Sequence, residues 1–186
     1  GVDLDCLKAH MAGADTGPGP RLGEEHLVNG WPLDLADYPK PVIAAINGAA
    51  FGVGVTMTLG CDVRYAAAGA KLGLNFTSLG VLPGLGSTHH LPRLVGMGKA
   101  MDLVLAGATL SAEEALEIRL VQRVCAPDRV YPEALALAAA MAEKKTAVLA
   151  AARRGLRAGA ESSLADAVET EKALSRELAR SRGDAP

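Results

Sequence analysis

A glycine-rich turn between a predicted strand and a predicted helix is the segment best suited to chemistry. The apolar residues 42–46 are followed by residues 47–54, Asn-Gly-Ala-Ala-Phe-Gly-Val-Gly. A helix that begins after glycines leaves its first N–H groups without intrahelical acceptors and carries partial positive charge there. Such a turn suits a phosphate, a carboxylate or a developing oxyanion, and it also occurs where a strand simply packs tightly on a helix. It is not a Walker A loop, because no Gly-Lys-Ser/Thr follows.

Other polar residues have a chemical interpretation and a plain structural one. His89 and His90 are adjacent, so on a helix at most one could face a pocket and serve as a base; the alternative is a helix surface or subunit contact. The remaining candidates, with their structural alternatives, are Asn75, Thr77 and Ser78 (ordinary loop hydrogen bonds), Asp3 and Asp5 (capping), Cys6 and Cys61 (small buried hydrophobes), and Arg153, Arg154 and Arg157 (a solvated helix face rather than phosphate contacts).

The elements that must position these residues follow from the apolar pattern. Residues 42–46 form a continuous apolar run, which predicts a strand buried on both faces. Residues 12–20 are rich in Gly and Pro, which predicts a surface loop. The other elements predicted in the first part of the chain are a helix around 24–35 interrupted by Pro32, a helix from Gly52 to Leu59, strands at 62–66 and 71–74, and an irregular loop at 75–88.

The sequence pattern of the second part of the chain predicts mostly helices. Ser111 and Glu114 form a capping-box pattern that begins a helix. The other predicted elements are helices at 96–105, 130–143 and 146–158, a short strand at 121–125, and a last helix with the apolar stripe Leu164, Ala167, Val168, Leu174 and Leu178. The organisation is therefore an α/β portion, residues 1–125, followed by a helical portion, residues 126–186.

Several motifs in chain order resemble the enoyl-CoA hydratase/isomerase (crotonase) family. They are residues 1–4 (Gly-Val-Asp-Leu), 40–48 (Lys-Pro-Val-Ile-Ala-Ala-Ile-Asn-Gly), 52–54 (Gly-Val-Gly), 61–64 (Cys-Asp-Val-Arg), 79–88 (Leu-Gly-Val-Leu-Pro-Gly-Leu-Gly-Ser-Thr), 91–96 (Leu-Pro-Arg-Leu-Val-Gly), 105–107 (Leu-Ala-Gly), 111–115 (Ser-Ala-Glu-Glu-Ala) and 120–121 (Leu-Val). The resemblance implies a crotonase-like α/β fold, a spiral of β-β-α units, with a helical C-terminal region that drives formation of a homotrimer or a dimer of trimers.

The same resemblance implies an acyl-CoA thioester as substrate or ligand and no further cofactor or metal. Two backbone N–H groups hold the thioester oxygen in this family, and by position they are those of Val2 and Val53. A valine at position 53, where the family more often has Gly, keeps the N–H and narrows the pocket. The residues placed at the substrate by the resemblance are Asp3, Leu4, Gly52, Gly54, Asn75, Thr77, Pro83 and Gly84.

The acid–base positions depart from the family pattern. Hydratases of the family carry two glutamates, and the matching positions here are Thr56 and Phe76. Addition of water across a double bond needs a group that activates the water and a group that protonates the α-carbon. Thr is a poor base and Phe does not titrate, so two further functions stay open: a non-catalytic acyl-CoA binder, or an enzyme with different chemistry such as decarboxylation.

Composition excludes several other classes of function. The 186 residues are 49% hydrophobic and 22% charged, which is typical of a globular protein. The formal net charge of −2 provides no excess positive charge that would attract nucleic acid or an anionic membrane. Aromatic residues make up 3%, too few for a stacking platform. Three scattered cysteines favour a reducing, cytoplasmic location.

The ends of the sequence also bear on the expected organisation. Gly1 is not an initiator Met, and the family pattern has further strands before this point and a helix with a basic tail after Pro186. We therefore expect either a fragment of a longer protein or a pocket whose missing walls come from neighbouring subunits.

Overall fold

The computed structural model describes residues 5, 8, 9, 12, 13 and 26–182. The chain divides into two compact units, which comprise residues 1–38 with 42–134 and residues 39–41 with 135–186. None of the helices in the described part of the chain has the length and apolar content needed to cross a membrane.

The first unit alternates short strands and helices. In chain order its elements are α1 (His26–Asn29), α2 (Trp31–Asp37), β1 (Ile43–Ile46), β2 (Ala50–Phe51), α3 (Val53–Thr56), β3 (Val63–Ala67), β4 (Lys71–Gly73), a 3-10 turn (Thr77–Leu79), α4 (Ser87–Val95), α5 (Met97–Leu105), β5 (Thr109–Ser111), α6 (Ala112–Glu117) and β6 (Arg123–Cys125). Helix α7 (Val130–Ala142) begins in this unit and ends in the second.

Two three-stranded sheets organise the first unit. One is entirely parallel in the order β1-β3-β6, and the other pairs β2 with β4 in parallel and β4 with β5 antiparallel. The segments β1-β2-α3 and β3-β4-α4 each place one strand in each sheet and then a helix. This repetition confirms the predicted spiral of β-β-α units.

The core of the first unit is made mainly of aliphatic side chains. The largest side chains that are fully buried are Leu91, Leu103, Leu120, Val55, Val121, Val130 and Thr56. Strand β1 is less buried than its sequence predicts, because it is the outer strand of its sheet in the described residues and only Ile46 is buried. The apolar run at residues 42–46 thus predicts the strand correctly and overestimates its burial.

Several element predictions are confirmed and others need correction. The helix predicted around 24–35 is divided at Gly30 rather than at Pro32, and α4 begins at Ser87, inside the loop predicted at 75–88. The capping box of α6 has both of its bonds, from Glu114 N–H to Ser111 Oγ at 3.1 Å and from Ser111 N–H to Glu114 Oε2 at 2.7 Å. The helix predicted to run to Leu59 is wrong beyond Thr56, where turns replace it. Strands β2 and β5, of two and three residues, were not predicted, because segments this short show no periodicity.

The second unit contains a pair of long helices. These are α8 (Thr146–Gly159) and α9 (Leu164–Arg182), joined by an ion pair between Arg154 and Glu177 at 2.7 Å. The predicted apolar stripe of α9 is only partly correct: Leu174 and Leu178 are half-buried, whereas Leu164 and Val168 are exposed.

Candidate active site

The segment from Gly52 to Thr56, which we call the glycine turn, is held by its backbone. Gly52 has φ +53° and ψ −117°, a conformation available almost only to glycine. Its N–H donates to Gly73 O in β4 at 2.9 Å, and its carbonyl accepts from Val55 and Thr56 N–H at 3.0 Å. The left-handed glycine therefore fixes the direction in which the chain leaves β2 and enters α3.

The glycine turn presents two backbone donors. Among the described residues, the N–H groups of Val53 and Gly54 donate to no protein acceptor, as expected for the first turn of a helix. Both residues are half-buried. Because α3 has only four residues, its macrodipole is small, and the donors act as individual N–H groups.

Thr56 is fully buried on the inner side of the glycine turn. Its hydroxyl donates to Val53 O at the long distance of 3.5 Å. Among residues 26–182, no Asp, Glu or His side chain forms a hydrogen bond with the glycine turn. The hydroxyl is thus without an activating partner in this part of the structure.

Phe76 comes from a different loop and packs against the same turn. Its ring atoms lie 3.7 and 3.8 Å from the position that a Cβ on Gly52 would occupy, and its exposed fraction is 7%. Its carbonyl accepts from Leu79 and Val81 N–H at 3.0 and 3.1 Å. The structure therefore brings position 76 to position 52, and the surface beside Gly52 is an aromatic ring.

Thr77, another polar residue of the Phe76 loop, is held by a side-chain hydrogen bond, and the backbone just before the loop bonds to the segment after α5. Thr77 Oγ1 donates to Val104 O in α5 at 2.8 Å, and Leu74 N–H donates to Ala108 O at 3.3 Å. Asn75 is half-buried, and Thr77 and Ser78 are exposed. Their predicted contacts with an acyl group stay predictions.

Pro83, Gly84 and the histidines lie further along the chain. Pro83 and Gly84 are half-buried, and Gly84 O accepts from Ser87 N–H at the start of α4 at 3.1 Å. The His90 ring lies beside Gly60 and Gly86, and the rings of His89 and His90 meet edge to face at 5.0 Å. Nothing in these contacts brings either ring to the glycine turn.

Several predicted residues lie outside the described residues or have other surroundings. Val2, Asp3, Leu4 and Cys6 are outside the described residues. The other predicted residues are described, and their surroundings are as follows: Asp5 (Oδ1 lies 3.7 Å from Lys8 Nζ), Cys61 (half-buried rather than buried), Arg153 (buried), Arg154 (paired with Glu177) and Arg157 (half-buried). The pair with Glu177 agrees with the helix-face interpretation of Arg154.

Arg64 has no predicted role, yet its side chain forms more hydrogen bonds than any other described side chain near the glycine turn. It is 2% exposed and donates to several backbone carbonyls of neighbouring segments. Desolvation lowers the pKa of its guanidinium, and the nearby Cys61 and Asp62 oppose that shift. The available signal was a single charged residue within strand β3 (Val63–Ala67), since a buried charge needs dedicated partners.

Comparison with known proteins gives consistent matches over most of the chain. Residues 10–183 match the family model described as enoyl-CoA hydratase/isomerase. A Bacillus subtilis protein named for that family, YngF, is 40% identical over 171 residues, covering 89% of this chain and 66% of the relative. The 1,2-epoxyphenylacetyl-CoA isomerase of Escherichia coli is 37% identical over 168 residues, covering 89% of this chain and 64% of the relative.

Solved structures give the same result for the fold. An enoyl-CoA hydratase subunit from Geobacillus kaustophilus matches with a TM-score of 0.82 and 30% identity, over 96% of this chain and 66% of that one. A Thermobifida fusca protein solved in complex with CoA matches with a TM-score of 0.79 and 30% identity, over 83% of this chain and 60% of that one.

The chain thus spans somewhat less than two thirds of these relatives. The family model covers nearly all of it, and the solved structures share its arrangement of strands and helices. The chain belongs to the enoyl-CoA hydratase/isomerase family and has the crotonase-like fold.

Proposed function

We propose that this chain binds the thioester group of an acyl-CoA and stabilises the enolate of that thioester with backbone N–H groups. The observation that carries the proposal is the glycine turn, in which Gly52 is fixed to Gly73 and the N–H of Val53 has no acceptor among the described residues. Val53 supplies one donor, and Val2, by resemblance to the family, supplies the other. The Thermobifida fusca relatives solved with CoA and acetoacetyl-CoA support a CoA thioester as the ligand.

The chemical role of the donors is to stabilise charge on the thioester oxygen. When an enolate forms at the α-carbon, negative charge develops on that oxygen, and fixed N–H donors bind it more strongly than they bind the neutral carbonyl. One such donor typically lowers the activation free energy by about 3 kcal/mol. The left-handed backbone of Gly52 holds the donor before the ligand arrives, so little reorganisation is needed.

Hydration is not the reaction that these residues favour. A hydratase needs one group to activate water and another to protonate the α-carbon, and positions 56 and 76 carry a buried hydroxyl and a phenyl ring. The Phe76 ring beside Gly52 favours two other functions that use the same backbone N–H donors. One is binding of acyl-CoA without catalysis. The other is decarboxylation, in which the electron pair of the broken C–C bond passes to the α-carbon and forms the enolate without a base.

The test measures binding and turnover separately on the purified chain. Calorimetry with butyryl-CoA reports binding, and the matched control is S-butyl-CoA, a thioether that keeps the alkyl chain and lacks the thioester carbonyl. We expect butyryl-CoA to bind about tenfold more tightly, the contribution of one good hydrogen bond. Equal affinity for the two ligands would contradict a role for the donors, and absence of binding would remove the CoA assignment.

Turnover is followed with two thioesters. Crotonyl-CoA reports hydration by loss of the conjugated enoyl absorbance, and we expect no loss. Malonyl-CoA reports decarboxylation by release of carbon dioxide. Hydration of crotonyl-CoA by the unchanged chain would overturn our assignment of the reaction. If that hydration survives in Thr56→Ala and His89→Ala, a residue other than these two is the base.

The family resemblance also carries a proposal about assembly. We infer a homotrimer, or a dimer of trimers, formed through the helical portion at residues 126–186.

A further inference from the structure

Arg64 holds two separate segments of the first unit through backbone carbonyls. Its Nε donates to Leu120 O at 2.7 Å, just before β6. Its Nη1 donates to Cys61 O at 2.6 Å and lies 3.3 Å from the carbonyls of Thr58 and Leu59. The side chain is therefore fixed from two directions.

The segment held by Nη1 is continuous with the glycine turn. Met57 N–H donates to Val53 O at 2.9 Å, and Thr58 Oγ1 donates to Val55 O at 2.8 Å. Residues 57–60 are turns rather than helix. The helix α3 is therefore not extended and stiffened by further helical turns on its C-terminal side. The guanidinium supplies a fixed support at the point where the turns end.

A second set of bonds keeps Arg64 itself in place. Its N–H donates to Gln122 Oε1 at 2.9 Å, and its carbonyl accepts from Gln122 N–H at 2.8 Å. Arg64 lies in β3 and is paired with Ala44 of β1. The support therefore rests on β3, the central strand of the parallel sheet, which is hydrogen-bonded on both sides.

The chemistry of the contacts favours arginine over other side chains. Arginine presents donors in a rigid fork and stays charged when buried, so it can bind two carbonyls several ångströms apart at once. Lysine is a point charge on a flexible stem and reaches one of them. Charged donors to carbonyls are also stronger than neutral ones.

We propose that Arg64 is a positioning residue for the glycine turn: its guanidinium fixes the carbonyls of Thr58, Leu59 and Cys61 and thereby holds the Val53 N–H where a thioester oxygen is bound. This inference rests on the proposed function for its chemical meaning. The rigidity it assigns to the turn can be measured without any ligand.

The first experiment measures amide hydrogen exchange in the purified chain and in Arg64→Lys and Arg64→Met. Thr56 and Met57 N–H, bonded to Gly52 and Val53 carbonyls, report on the turn, and Ala100 N–H in α5 reports on global unfolding. We expect protection at positions 56 and 57 to fall about tenfold or more, the effect of one charge-assisted hydrogen bond, with Ala100 unchanged. The control is Arg129→Met, which removes an exposed arginine.

The second experiment measures the carbonyl stretch of a bound acyl-CoA that carries a ¹³C-labelled thioester. We expect the lysine variant to show a smaller red shift than the unchanged chain and to bind the acyl-CoA more weakly, by up to about tenfold, the contribution of that hydrogen bond. Equal protection and an equal shift would overturn the proposal, as would parallel loss of protection at Ala100, which would assign Arg64 to folding alone. If the unchanged chain shows no shift but its variants lose protection at positions 56 and 57, the oxyanion function fails and the positioning role stands.

Discussion

Gly52 determines the shape of the candidate site through its backbone. Its φ of +53° would strain any other residue by about 1–3 kcal/mol, whereas a Cβ there would meet the Phe76 ring at an ordinary 3.7 Å. We therefore expect Gly52→Ala to destabilise the chain by about that amount and to weaken acyl-CoA binding. Urea denaturation and calorimetry measure the two effects.

Gly98 provides the matched control for this substitution. It lies in α5, and a Cβ there would have no neighbour within 4 Å. Gly98→Ala should stabilise the helix by up to about 1 kcal/mol and leave acyl-CoA binding unchanged. Equal effects of the two substitutions would contradict the conformational argument.

Phe76 and Phe51 make a second comparison at the residue scale. Phe76 is 7% exposed and Phe51 is 41% exposed, so truncation of the first leaves a cavity and truncation of the second mostly removes surface. We expect Phe76→Ala to reduce the free energy of unfolding by about 3–5 kcal/mol and Phe51→Ala to reduce it by less than half as much. If urea denaturation shows that Phe76→Ala reduces the free energy of unfolding less than Phe51→Ala does, the Phe76 ring does not support the glycine turn.

At the scale of the element, the capping box is the best-defined local feature. Ser111 Oγ accepts from Glu114 N–H at 3.1 Å at the start of α6. Ser111→Ala removes this acceptor and should destabilise the chain by about 1 kcal/mol. Ser181→Ala, which removes an exposed hydroxyl near the end of α9, should change the free energy of unfolding by less than about 0.5 kcal/mol.

The same cap makes a predictable contribution to pH dependence. Hydrogen bonds from the Ser111 backbone and side chain lower the pKa of Glu114 below its ordinary value of 4.5. Because the folded pKa is the lower one, this stabilisation is complete above 4.5 and is lost as the pH falls through the folded pKa.

Glu114→Gln isolates that contribution, because glutamine can still accept from Ser111 N–H but does not titrate. The difference in free energy of unfolding between the unchanged chain and the variant should favour glutamate near neutral pH and shrink on acidification. A difference that grows on acidification would contradict the assignment.

How far the sequence predicts an element depends on what stabilises it. The strands at β1, β3 and β4 and the helices α5 to α8 follow from apolar runs, caps and helix formers, which are local signals. Strand β2 and the early end of α3 depend on tertiary contacts instead: Phe51 packs over Gly73, and Arg64 binds the carbonyls after the turn. No local pattern encodes those contacts.

The candidate site divides in the same way. The glycine turn is visible in the sequence because its backbone requires glycine at position 52. The approach of Phe76 to Gly52 joins residues from two loops through the pairing of β2 with β4, and the support from Arg64 depends on the position of Leu120. Long-range pairing, rather than residue type, determines both.

At the scale of the whole molecule, large apolar side chains remain exposed in the helical portion. Leu156 in α8 and Leu164 in α9 are 79% and 82% exposed. Single exposed apolar side chains are common on protein surfaces, and only a contiguous patch marks an interface. These two leucines are tested because they lie in the helical portion, to which the family resemblance assigns assembly.

We expect sedimentation equilibrium to give three times the chain mass of 19.1 kDa, or six times for a dimer of trimers. Leu156→Glu and Leu164→Glu should lower that mass, because a carboxylate at an interface must lose its hydration. Leu33→Glu, at a leucine of α2 that is 67% exposed, adds the same charge outside the helical portion and should leave the mass unchanged. A single-chain mass at all concentrations would contradict the trimer, and an equal effect of all three substitutions would show that general repulsion, rather than the helical portion, controls assembly.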